Sequence, residues 1–230
     1  MPDLKYGQHK IDYKVRRSSR AKNARIDVKM DMIRVVVPKR SNIDPEELLQ
    51  DNIKWVLEKK ERFEEYREKI PDRTIEVGEE ISILGQPREI RLKNCPSHQV
   101  TEDAIIVSER YLRDKSIKEK VKEILREKAR EVINKKVEIY ARRIREQVNK
   151  VYIRDQKTKW GSCSSKNNLS FNWRLILGPE YVLEYVVVHE MIHLENKKHN
   201  NSFWSRVSDI YPEYKKGYNW LKENSHLLVF

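Results

Sequence analysis

Apolar residues recur along the chain with two periods, and each period predicts its own elements. Ile117, Val121, Ile124, Leu125, Ala129, Val132, Ile133, Val137, Tyr140, Ile144 and Val148 keep helical spacing, three or four apart save for the adjacent pairs at 124/125 and 132/133. That spacing predicts a long helix opening at Asp114 or Ser116 and running to Asn149. Leu48, Leu49, Ile53, Val56, Leu57, Phe63 and Tyr66 repeat it before Pro71, behind a capping-box-like start at Asp44-Pro45-Glu46-Glu47. Elsewhere the pattern is that of strands. Arg25 to Lys29 alternates and Ile33 to Val37 is a β-branched run stopped by Pro38, a hairpin with its turn over Met30 to Met32. Short strands follow at Thr74 to Val77, Glu80 to Leu84, Arg88 to Leu92 and Ala104 to Val107, with turns at Gly78 and Gly85. Past the long helix, Val151 to Arg154 and Leu169 to Trp173 are strand-like, joined through Trp160 to Ser165 and a Lys166-Asn167-Asn168 turn. Tyr181 to Val188 is almost wholly apolar after Pro179, as a helix through a core should be. Asn200 or Asn201 then caps a short helix, and Pro212 starts the last one. The expected class is α+β: a small α+β region over 1–110, then 111–230 as long helix, small antiparallel sheet, buried helix and C-terminal helices.

The buried helix ends in polar residues that its pattern does not call for. His189-Glu190-Met191-Ile192-His193 is an HExxH sequence. Two histidines four apart share a helix face and can share a zinc ion. Glu190 points about 100° away, where it can reach a water at an open coordination position and act as general base. Catalytic zinc usually takes three protein ligands, so a third is needed. His199 follows His193 by six residues, the last leg of the HExxHxxGxxH pattern, with Asn196 at the glycine position. Asn tolerates the left-handed turn that the glycine makes. Glu213, twenty residues past His193, is the alternative ligand and sits in a Lys-rich stretch. His199 is favoured. Helix, sheet and HExxH helix in that order suit a zincin-like catalytic domain.

Composition narrows the setting. Charged residues (37%) nearly equal hydrophobic ones (38%), no apolar run is long enough to span a membrane, and the first residues lack a signal-peptide stretch. Cys95 and Cys163 make no metal or redox spacing, so a reducing cytoplasm is expected. Cys163 reads as a small residue near the cleft rather than a nucleophile. A net charge of +12, densest over Lys14 to Arg25, favours anionic partners such as nucleotides or nucleic acid. That cluster lacks interleaved aromatics and equally suits a solvated strand and turn.

Taken together, Arg16-Arg17-Ser18, Lys159-Trp160-Gly161-Ser162-Cys163, Asn172-Trp173-Arg174-Leu175, His189-Glu190 with His193, and His199 with Phe203-Trp204 carry a resemblance. The chain resembles the YgjP-like family of zinc metallopeptidases, relatives of the SprT and WLM groups, from roughly Val15 to Leu228. The resemblance implies His189, His193 and His199 as zinc ligands and Glu190 as catalytic acid/base. The leading reading is then a peptidase with a peptide or protein substrate, which the sheet strand beside the buried helix would bind as an added edge strand, with Leu169 to Trp173 the candidate partner. Two other readings remain. Some members carry the name nucleotide (UTP) pyrophosphatase, for which Arg16 to Arg25 would hold phosphates, although no Gly-rich phosphate loop is present. SprT-like relatives act on DNA-bound proteins, which with the basic N-terminal region suggests a nucleic-acid-associated protease or binding module. Tyr214, Tyr218 and Arg174 are candidate oxyanion donors.

Overall fold

The computed structural model describes residues 2–28, 32–69, 74–112, 115–156 and 159–230, and within 66–69 the backbone only. The chain divides into two compact units, Met1–Pro71 and Asp72–Phe230. In the first, β1 (Asp3–Tyr6), β2 (His9–Ser18), β3 (Arg25–Val28) and β4 (Ile33–Pro38) form a sheet in the order β1-β2-β4-β3. The expected β3–β4 hairpin is present and antiparallel; its turn lies largely outside the described residues. α1 (Pro45–Asp51) and α2 (Ile53–Lys69) follow. The side chain of Asp44 caps α1 at the nitrogen of Glu46, with Pro45 at the first turn. One continuous helix is not formed. Asn52 breaks it, its amide donating to the Leu48 carbonyl at 2.9 Å. Ile11, Tyr13, Ile33, Val35 and Val37 pack with Leu49, Ile53 and Val56 as a core of their own.

In the second unit, β5 (Glu80–Ile83), β6 (Gln86–Lys93), β7 (Gln99–Val100) and β8 (Ala104–Ser108) form a sheet in the order β5-β6-β8-β7. Thr74 to Val77, expected as a strand, precedes β5 without joining it. The boundary expected after residue 110 falls after Pro71 because Ile81, Ile83, Ile90, Ile105 and Val107 share one core with the later helices. The Leu84 nitrogen also donates to the Ile176 carbonyl at 2.8 Å, which ties this sheet to the segment before the HExxH helix.

α3 (Ile117–Ile144) opens at Ser116 with a full capping box to Glu119. It ends earlier than Asn149, at Arg145 in the left-handed conformation (φ 59°). β9 (Lys150–Arg154), β10 (Gly161–Cys163) and β11 (Asn168–Asn172) form the sheet beside the site. Its order is β10-β11-β9, and β11 runs antiparallel to β10 but parallel to β9. The sheet is therefore mixed rather than wholly antiparallel. α4 (Glu180–Glu195), α5 (Asn201–Ile210) and α6 (Tyr214–Asn224) complete the unit. The α+β order expected from sequence is the one observed. Among the described residues no helix is long and apolar enough to cross a membrane.

Candidate metal centre

α4 is buried nearly all round, with Val182, Leu183, Val187, Val188, Met191 and Ile192 at or below 1% exposure, so the polar groups on it are held rigidly. The helix stops at Glu195 and Asn196 follows in an extended conformation (φ −133°, ψ 111°). The left-handed turn expected there is not made. The Asn196 side chain does the turning instead. Its Oδ1 accepts from the Lys198 nitrogen at 3.0 Å, and its Nδ2 donates to Asn200 Oδ1 at 2.8 Å and Ser202 Oγ at 2.9 Å. Asn200 then caps α5 by accepting from the Phe203 nitrogen at 3.0 Å. This loop folds His199 back over α4.

The three histidines meet through their Nε2 atoms. His199 Nε2 lies 2.9 Å from His189 Nε2 and 3.0 Å from His193 Nε2. Among the described residues they form the group able to hold a metal ion, and Glu213, beside the start of α6, is not in it. His193 Nδ1 faces the Asn196 carbonyl at 2.9 Å, so that nitrogen carries the proton and Nε2 presents a lone pair. A neutral imidazole has one N–H, and a single N–H on His199 Nε2 can point at only one of its two neighbours, so hydrogen bonds among the three rings cannot satisfy all three Nε2 atoms as a shared cation would. The separations are close to the edge of about 3.3 Å that bonds of ~2.0–2.1 Å give in a tetrahedron. The donor set fits a metal ion.

Electrostatics point the same way. Burial, then the two neighbouring histidines, push the His189 pKa down to about 3, and burial foremost lowers that of His193. Both are held neutral, as ligands must be. Phe203 floors the cluster, its ring centroid 5.0, 4.7 and 4.9 Å from His189, His193 and His199. Trp204 stacks on His199, and Tyr214 stacks on Trp204. Tyr218 packs against Trp204 and Tyr185, one ring removed from the histidines. Arg174 is committed elsewhere, to Asp155 at 2.6 Å.

Glu190 is 7% exposed, and burial raises its pKa to about 7, partly offset by Lys159. Its carboxyl lies directly over Gly161 of β10. A Cβ there would stand 2.5 Å from Glu190 Cγ and 2.6 Å from Oε1. In the sequence Gly161 stands out only as part of the Lys159-Trp160-Gly161-Ser162-Cys163 motif. The available signal was an isolated glycine at a strand, which marks close approach of another group. Asn172 pins this segment from the buried side. Its Nδ2 donates to the carbonyls of Gln156 (2.7 Å) and Lys159 (3.3 Å), and its backbone nitrogen donates to that of Trp160 (2.8 Å). Glu190 and His189 open onto a cleft of about 230 Å³ walled by Lys159, Trp160, Gly161, Tyr185, Val186 and Leu221. Trp173 is fully buried in the core, whereas Trp160 is half-buried on this cleft. Cys163, half-buried in β10, touches Lys197 Nζ at 3.3 Å.

A helix-borne histidine pair, a returning third histidine and a buried carboxylate beside an edge strand define a metallopeptidase-type domain. The family model for YgjP-like, metallopeptidase domain, matches residues 22–224, and the chain belongs to that family. The chain is also similar to the crystallised metallopeptidase zymogen abylysin of Pyrococcus abyssi (21% identity, 40% of this chain, 95% of that one, TM-score 0.37). A second similar structure is the zymogen jannalysin of Methanocaldococcus jannaschii (24%, 43% and 96%, TM-score 0.34). No curated protein matches the chain.

Proposed function

We propose that the protein is a zinc-dependent peptidase in which His189, His193 and His199 hold the ion and Glu190 is the general base. The observation that carries this reading is the convergence of three imidazole Nε2 atoms beside a buried carboxylate on one cleft. Three nitrogen ligands with a position left open favour zinc over the oxygen-seeking calcium and magnesium. When bound, zinc polarises the scissile carbonyl and acidifies the attacking water. Glu190 takes the proton from that water and returns it to the leaving amine. Its seat against Gly161 fixes where the proton is taken.

The substrate strand needs a correction. β11, the candidate docking partner, is central in its sheet, hydrogen-bonded on both sides to β10 and β9. It has no free edge. β10 does, and it lies against Glu190, so an extended peptide adds there.

The test is zinc content measured beside cleavage of casein. Wild type should hold about one zinc per chain and lose activity to chelator. Glu190→Gln should keep its zinc and lose about 100- to 10,000-fold in turnover. His199→Ala should lose both, and Glu213→Ala neither. Zinc lost in Glu213→Ala but kept in His199→Ala would make Glu213 the ligand. Chelator-sensitive pyrophosphate release from UTP, without proteolysis, would replace the peptidase reading.

A further inference from the structure

Cations around the site fall into two groups. Arg206 is tied to Glu195 by two bonds of 2.9 and 3.0 Å, Arg174 to Asp155, and Lys136 to Glu180 and Glu184. Lys159 and Lys197 have no carboxylate partner among the described residues, and they stand at opposite ends of β10. Lys159, exposed, lies two residues before the strand on the wall of the cleft, where its charge is felt by Glu190. Lys197 reaches the other end, its Nζ 3.3 Å from Cys163 Sγ and 3.4 Å from the Ser164 carbonyl.

A cation left without a partner beside a binding edge selects what binds. The backbone that presents Lys159 is fixed by Asn172, so the charge has a defined place along the substrate. From residue 159 to 163 an extended chain covers about 13 Å, room for three or four substrate residues between the two lysines. The cleft at the Lys159 end has a largely apolar wall of Trp160, Tyr185, Val186 and Leu221, and Lys197 lies outside that lining. Resting on the peptidase reading above, we propose that the substrate is a peptide with two acidic residues separated by three or four residues, one at each end of β10, and an apolar residue in the cleft beside Lys159. Lys159 and Lys197 are the specificity-determining residues for those two acids.

The test uses full-length, zinc-loaded protein and quenched peptides with one apolar core flanked on both sides by Glu, Gln or Lys. The order of kcat/KM should be Glu over Gln over Lys. Lys159→Gln and Lys197→Gln should each reduce the Glu-to-Gln ratio about threefold, and the double variant about tenfold. Raising the salt should compress the preference. A wild type with no preference, or variants that lose activity on all peptides with the ratio intact, would overturn the proposal. Binding separates it from the peptidase reading. Fluorescence anisotropy with the same peptides on the Glu190→Gln protein needs no turnover. The Glu-flanked peptide should bind more tightly than the Gln-flanked one, and the advantage should vanish when both lysines are replaced. If wild type cleaves nothing but this order holds, the peptidase reading falls and the acidic-peptide site stands. Equal binding overturns the site even if cleavage occurs.

Discussion

α3 runs for 28 residues and buries one stripe, whereas α4 runs for 16 and buries almost its whole surface. On α3 polar residues pair along the outer face: Lys128 with Glu131, Arg130 with Glu127. Any of these positions accepts another polar side chain at small cost. On α4 a polar residue is an exception that burial makes expensive, and His189 and Glu190 lie in the most buried part. The difference teaches where to look for chemistry in a heavily charged chain. Charges on α3 carry little information; the polar groups inside an apolar helix carry nearly all of it.

Three substitutions test how far that contrast extends. The largest effect is expected at Gly161, where the atoms nearest an added Cβ all belong to Glu190 of α4. Gly161→Ala forces the carboxylate aside and should cut turnover about 100-fold while zinc content stays unchanged. Turnover within about threefold of wild type would mean that the base is not held by this contact. Next comes the seam between the helices. Lys136 of α3 reaches Glu180 (2.8 Å) and Glu184 (2.9 Å) of α4, and Tyr140 also donates to Glu184 at 2.7 Å. Lys136→Met should cost about 1–2 kcal/mol in urea unfolding. Burial lowers the lysine pKa, but the two carboxylates outweigh it and the net shift is upward. The contribution is therefore complete below the ordinary lysine value of ~10.4 and fades as pH rises through the raised one. The gap between wild type and variant should narrow in strong alkali. The smallest effect belongs to the outer face, where Lys128→Ala should stay within about 0.5 kcal/mol. A seam variant no costlier than Lys128→Ala would erase the contrast.

Much of this was legible in the chain. The periodicity of α3, the apolar run of α4, the HExxH residues and the return of His199 all rest on local spacing, which sequence displays directly. Other features depend on partners far along the chain. The end of β2 was legible as the charged, solvated strand that opens Lys14 to Arg25, but its start was not, because within β2 only Ile11 and Tyr13 face a core. The parallel pairing of β9 with β11 has no local signature, since such strands are joined by a long crossover. Asn196 was placed correctly in the turn but for the wrong conformation. Its side chain, not its backbone, redirects the helix end, and the two uses of an asparagine look alike in sequence. The boundary was expected after residue 110 because β5 to β8 were grouped with the first strands in one small α+β region, whereas their isoleucines pack into the later core.

β10 has one further consequence, for the protein's behaviour in crowded solution. An open edge that accepts a substrate strand also invites a strand from another copy of the same chain. This one is three residues long and so offers only a short ladder of hydrogen bonds. Two copies approaching edge to edge would also bring Lys159 and Lys197 of each against those of the other. The charges proposed to admit an acidic guest would thus turn away a twin, so that one pair of lysines would serve solubility as well as entry.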